Sequence, residues 1–192
     1  MDRLRWRAAL LACALIFGGL ALAQPPGYTE TSRYSYNPLT GTTTQSHAYY
    51  NSFTGAGNRT VSASNPYTGR AVEGMGVRNP YTGGTRSFKT YYNASTGTRV
   101  EREVVTNPYT GTVRTSGSAY NYLTGSGGTR NVEANTYTGG YRATGNYYNE
   151  FTGASASSEQ SYNPYTGTYR ADKNSYNPFT GTVRRSSVTS QR

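Results

Sequence analysis

Past its opening segment the chain has no cysteine, no tryptophan and no isoleucine, because Cys13, Trp6 and Ile16 all fall near the N-terminus. No disulfide can staple what remains, whatever compartment it occupies. Histidine is single as well, at His47. One imidazole among scattered carboxylates neither builds a metal site nor serves as general base to many hydroxyls, so His47 reads as an ordinary strand residue. Glu101 and Glu103 share a strand face but have Arg99 and Arg102 beside them, the pattern of a salt-laced surface rather than of a glycosidase acid pair. Catalytic, cofactor-binding and metal residues are thus expected to be none, and the chain is not expected to be an enzyme.

Aliphatic side chains are also scarce. Beyond the opening segment they are chiefly ten valines, from Val61 to Val188, with Leu39 and Leu123. Such a composition approaches that of disordered chains. The counterweight is tyrosine: all 20 lie past the opening segment, and each can bury a ring while keeping its hydroxyl wet. A thin sheet, solvated on both faces, suits this supply better than a thick core. Acidic residues are few, 9 against 19 basic ones, for a net charge of +10. Nearly all of the positive charge is arginine, since Lys89 and Lys173 are the only lysines.

The opening segment has its own logic. Arg3, Arg5 and Arg7 precede an apolar run from Ala8 to Leu22 that closes in Ala21-Leu22-Ala23, as in an export signal. Residues 1–23 are expected to be removed near Ala23-Gln24, leaving 16 basic and 8 acidic residues, a net of +8. The expected location is secreted, periplasmic or at the cell surface, with no membrane span. Cys13 lies in the middle of the apolar run rather than after it, which argues against a lipid anchor.

What is abundant is repetition. At an unbroken interval of fourteen residues, eleven asparagines from Asn37 to Asn177 are each followed three and four places later by Thr-Gly. A fixed period of this kind marks one supersecondary unit copied in tandem. Its fullest form, Tyr-Asn-Pro-Tyr-Thr-Gly at Tyr162 to Gly167, suits a chain reversal. Asparagine bonds the backbone ahead of it, proline presets φ, and glycine takes the positive φ that closes the loop. Proline gives way to Ser52, Ala94, Tyr122, Thr136 and Glu150, so it refines the turn while Asn and Gly are obligatory. The turn residues singled out are Asn37, Gly41, Asn65, Gly69, Asn79, Gly83, Asn107, Gly111, Asn163, Gly167, Asn177 and Gly181.

A four-residue loop leaves about ten residues per repeat, the length of one long strand. The expected fold is all-β: a tandem 14-residue repeat forming an antiparallel meander of about a dozen strands. The array is placed at 34–185, between a lead-in at 24–33 and a tail at 186–192. If Asn107 faces Thr112, then Thr106 faces Val113, Ala134 faces Tyr141, Tyr162 faces Tyr169, Tyr176 faces Val183 and Glu133 faces Arg142. A doubled period of twenty-eight runs through Arg86, Arg114, Arg142 and Arg170, and through Tyr92, Tyr120, Tyr148 and Tyr176. It fits turns that alternate between opposite ends, although duplication of a two-repeat unit would leave the same trace. The alternative fold is a parallel β-solenoid, which would stack the asparagines and threonines into ladders.

In its hexapeptide the region from Tyr34 to Arg185 resembles secreted bacterial proteins that carry runs of the same motif. It is more loosely similar to the tyrosine-aspartate repeats of wall-associated and toxin-shell proteins. It departs from those in its shorter repeat, its asparagine and its lack of a toxin or core domain. The resemblance implies a β-repeat scaffold at a bacterial surface and transfers no functional residues.

The expected function is structural or adhesive, in the envelope or extracellular matrix. Tyr92, Arg86, Arg114, Tyr120, Arg142, Tyr148, Arg170 and Tyr176 are the candidate ligand contacts, their rings and guanidinium groups presented to acidic polysaccharide or envelope polymers. Nucleic acid ranks behind acidic glycans as a partner. Two alternatives are a self-assembling fibre or surface layer joined through edge strands, and ice or mineral binding by threonine ladders, which needs the solenoid.

Overall fold

The computed structural model describes residues 26–191; the expected export segment and cleavage site lie outside them. Twelve strands follow one another in a single sheet whose spatial order is the chain order. They are β1 (Tyr28–Asn37), β2 (Thr42–Asn51), β3 (Gly57–Asn65), β4 (Arg70–Arg78), β5 (Thr85–Asn93) and β6 (Thr98–Asn107). The second half comprises β7 (Thr112–Asn121), β8 (Ser126–Asn135), β9 (Tyr141–Asn149), β10 (Ser155–Asn163), β11 (Thr168–Asn177) and β12 (Thr182–Gln191). Every neighbouring pair is antiparallel, and no pairing joins β1 to β12 among the described residues. The sheet is thus an open meander.

The parallel coils on which threonine ladders depend are absent, and successive turns lie at opposite ends of the sheet. All the expected cross-strand partners occur: Asn107 with Thr112, Thr106 with Val113, Ala134 with Tyr141, Glu133 with Arg142, Tyr162 with Tyr169 and Tyr176 with Val183. The array is longer than its sequence bounds. β1 starts in the expected lead-in and β12 runs through the expected tail, because strand pairing needs only the alternating backbone pattern and not the hexapeptide.

Each turn is built by three side chains. The asparagine Oδ1 accepts the amides two and three residues on, as at Asn37 from Leu39 (3.0 Å) and Thr40 (3.3 Å) or at Asn121 from Leu123 (3.0 Å) and Thr124 (3.1 Å). The threonine hydroxyl accepts the amide two residues ahead of it, Ala56 to Thr54 and Gly140 to Thr138, each at 3.3 Å. The glycine closes the turn with φ between 61° and 76° in all eleven copies, and no other residue type among those described has positive φ.

Turns at the same end of the sheet also bond to one another. Where proline is missing, the freed amide donates to the glycine carbonyl of the preceding turn at that end. Ser52 reaches Gly27 (2.7 Å), Ala94 reaches Gly69 (2.9 Å), Tyr122 reaches Gly97 (2.9 Å), Thr136 reaches Gly111 (2.8 Å) and Glu150 reaches Gly125 (2.8 Å). Proline therefore trades an inter-turn hydrogen bond for a preset φ, and both versions satisfy the turn. Asparagine works in both directions: the Nδ2 groups of Asn65, Asn121, Asn135 and Asn149 donate to the threonine carbonyls Thr40, Thr96, Thr110 and Thr124 of the preceding turn (2.8–3.0 Å). In five turns the apolar residue before the threonine leans over the neighbouring glycine, as Tyr67 does over Gly41 and Phe151 over Gly125, and in others the residue after the asparagine takes that place, Pro80 at Gly55, Pro108 at Gly83 and Pro178 at Gly153. Two continuous rails of linked turns result, one along each end of the sheet.

Glycines aside, only Ala143 (8% exposed) and Asn51 (7%) are buried among the described residues. A single layer has no interior, so cohesion comes from the backbone ladder, the rails and cross-strand side-chain pairs worth roughly 0.2–1 kcal/mol each.

The double role of asparagine gives a graded expectation at Asn121. Asn121→Asp keeps the Oδ1 acceptor but loses the Nδ2 donor to Thr96, and should cost about 1 kcal/mol; Asn121→Ala loses both and should cost about 2 kcal/mol. Hydrogen exchange at the Leu123 and Thr124 amides reads the difference, since protection there should survive the first change and collapse in the second.

Candidate binding face

Partners in the register share a face, so the pairing assigns every strand residue to one side of the sheet. The candidate contacts Arg86, Arg114, Arg142 and Arg170, and Tyr92, Tyr120, Tyr148 and Tyr176, all fall on the same side. The tyrosines form one row near the end that holds the Asn121 turn, and Tyr120 and Tyr148 stack with centroids 6.4 Å apart across Gly127. The arginines form a second row toward the other end.

Those arginines each face a carboxylate, however. Arg86 pairs with Glu103, Arg114 with Glu133 (3.0 Å), Arg142 with Glu159 (2.8 Å) and Arg170 with Asp172 (2.7 Å). Arg99–Glu101 (2.6 Å) and His47–Glu30 (3.4 Å) complete the pairs on this side. The Glu150 carboxylate accepts from the Tyr120 hydroxyl (2.8 Å), which raises that phenol above its ordinary pKa. The ion-pair face carries seven carboxylates, Glu30, Glu73, Glu101, Glu103, Glu133, Glu159 and Asp172, against six arginines.

The opposite face carries no carboxylate at all. Its central row crosses all twelve strands and holds Arg33, Lys89, Arg102, Arg130 and Lys173, with only Ser46, Val61, Gly74, Gly117, Gly145, Ser158 and Ser186 between them. Arg59, Arg70, Arg78 and Arg184 lie on the same side, giving nine cations, none of which is in an ion pair among the described residues. The rows flanking the centre mix apolar and polar residues: Val72, Tyr91, Val100 and Tyr147 with Ser175 and Arg184 toward one end, Val104, Val132, Ala143 and Ala171 with Arg59, Thr115 and Gln160 toward the other. The central row runs the long axis of the sheet, roughly 50 Å over eleven strand spacings. A depression of about 270 Å³ lies toward the end that holds the Asn93 turn, with Arg70, Val72, Tyr91, Asn93, Thr98 and Val100 in its lining.

Segregation of this kind is not a copying artefact. A shift of fourteen residues moves a side chain to the other face, as Asn37 and Asn51 show, so strict copying would spread acids evenly over both. A shift of twenty-eight restores the face, but the seven carboxylates occupy five different places in such a unit. The sequence contained this signal: sorting charges by strand parity separates the cation face, whereas following conspicuous Arg and Tyr periods leads to the ion-pair face.

The turn residues singled out lie in the rails, as cap and positive-φ positions. His47 holds Ser32 (3.0 Å) and Glu30, and no cluster of metal-ligating side chains occurs among the described residues. No protein-family model matches the chain, and neither a curated protein nor a solved structure shows significant similarity to it.

Asp172 offers a check on the paired state of the first face. Ser187 Oγ donates to it at 2.6 Å and Arg170 at 2.7 Å, and these two bonds hold its carboxyl below the usual carboxylate value against a small opposing effect of desolvation. A depressed folded pKa contributes stability above the unfolded value, which is lost as pH falls through the folded one. In Ser187→Ala the carboxyl titration followed by NMR should move up toward the ordinary range; an unchanged midpoint would mean the hydroxyl does not hold it.

Proposed function

We propose that the protein is a secreted scaffold of the bacterial envelope or extracellular matrix that adheres to acidic polysaccharide or envelope polymers through its cation face. The observation that supports this reading is the complete separation of nine unpaired cations from every strand carboxylate. Such a surface attracts polyanions over its whole length and offers no competing anion inside. Each contact is weak, and the long row adds them by multivalency. The exposed rings of Tyr91 and Tyr147 and the half-buried Val72 and Val100 supply apolar footing for sugar rings beside the charges. The opposite face, where five of six arginines are paired with carboxylates, is the side left to solvent. This reading moves the contacts from Arg86, Arg114, Arg142 and Arg170 to Lys89, Arg102, Arg130 and their neighbours.

Affinity for polygalacturonate, measured as a function of salt, tests it. Replacing Lys89, Arg102 and Arg130 together by Gln should weaken binding on the order of tenfold at low salt and flatten the salt dependence. The matched triple Arg86→Gln, Arg114→Gln, Arg142→Gln should change it less than about twofold, because exposed ion pairs contribute little. Equal losses from both faces, or binding indifferent to salt, would sink the assignment. Stronger retention of single-stranded DNA than of polyuronate at equal charge would move the partner to nucleic acid.

A further inference from the structure

The two edge strands are complementary halves of one more repeat junction. Both are ten residues long, carry no proline and are exposed along their whole length, the features that make an edge a template for pairing. Their outward backbone groups follow from ladder alternation. At the turns on the β2–β3 end, the bond from Asn51 to Ala56 (2.8 Å) shows that residues of the ion-pair face point their amides across to the next strand. By the same alternation, Val183, Arg185, Ser187, Thr189 and Gln191 aim theirs outward from β12, and Tyr28, Glu30, Ser32, Tyr34 and Tyr36 do so from β1.

The repeat phase sets these two rows opposite each other. Twelve units of fourteen residues place Tyr28 where the strand after β12 would begin, so a second molecule would pair Gln191 with Tyr28, Ser187 with Ser32 and Val183 with Tyr36. The last pair reproduces the internal pair Tyr176 with Val183, and no two like charges face each other. A slip of two residues in one direction would set Arg184 against Arg33.

The rails are unfinished at the same two places. Gly181 is open where Tyr67 covers Gly41 and Phe151 covers Gly125, an openness it shares with the interior Gly139. Leu39, which holds the matching position in the first turn, is 90% exposed. Asn37 uses its Oδ1 for its own turn, while its Nδ2 donates to no described residue. In the phase above, that Nδ2 meets the Thr180 carbonyl, as Asn65 meets Thr40, and Leu39 covers Gly181.

We infer that the chain assembles end to end, β12 of one copy pairing antiparallel with β1 of the next in the internal register, with Asn37 and Leu39 seated on the turn at Thr180 and Gly181. The occupant of each edge is a second copy of this chain. The contact continues both faces without interruption, so the cation row lengthens with every molecule added. Assembly does not rest on the polyanion reading and fails or holds separately from it.

The test uses the chain with Cys13→Ser, in two preparations that carry one thiol each, Ser32→Cys and Ser187→Cys. Mixed under mild oxidation, they should form a disulfide-linked pair, since the Cα atoms of hydrogen-bonded partners lie about 5.5 Å apart, within disulfide reach. Ser190→Cys, on the opposite face and three residues along, should not cross-link with Ser32→Cys. One thiol per chain excludes closure of a sheet on itself. Asn37→Asp, which keeps its own turn but lacks the donor, should reduce cross-linking about fivefold at subsaturating concentration. Absence of the 32–187 product, or equal yield from 187 and 190, would overturn the proposal.

Discussion

The structure depends on a turn of constant length whose glycine occupies the left-handed region in every copy. Because each Asn meets the residue five places on across the turn, Asn107 opposite Thr112 and Asn51 bonded to Ala56, the chain returns with its side-chain parity fixed, and one miscounted turn would exchange the faces of everything beyond it. The asparagine cap, the threonine hydroxyl and the positive φ of glycine hold that count against the tendency of polar strands to slip. A sheet without a core has no other guard of register, since no buried face selects one alignment over another.

Fourteen residues carry a side chain to the other end and the other face; twenty-eight return it to both. This arithmetic explains the doubled spacing of Arg86, Arg114, Arg142 and Arg170, and the row of Tyr92, Tyr120, Tyr148 and Tyr176. It also makes the charge separation meaningful. Acids at five places of the doubled unit nonetheless share one side, where they meet arginines and neutralise them. The remaining cations are left together.

The fold was legible in the chain because its signal is local and repeated: the turn chemistry names the loop, the period gives the strand length, and one offset predicts every partner from Thr106 with Val113 to Tyr176 with Val183. The array ends were harder to read, since β1 and β12 pair through an alternating backbone without the hexapeptide. The role of proline was only half visible, because the hydrogen bond from the Glu150 amide to the Gly125 carbonyl links residues twenty-five apart and has no local signature. The ion pairing of the singled-out arginines was hidden for a related reason. Regular spacing drew attention to Arg86 and Arg142, whereas availability depends on what lies across the strand, and Glu103 and Glu159 lie there.

A sheet one layer thick, with Ala143 its one buried side chain apart from Asn51 and glycines, uncovers little fresh hydrocarbon when it melts. The heat-capacity increment of unfolding is set mainly by newly wetted apolar area, so here it is small for a chain of this length. The stability curve is correspondingly shallow, with no sharp optimum near ambient temperature and no nearby cold transition. A molecule arranged in this way holds together through linkage between neighbours rather than through a sequestered interior.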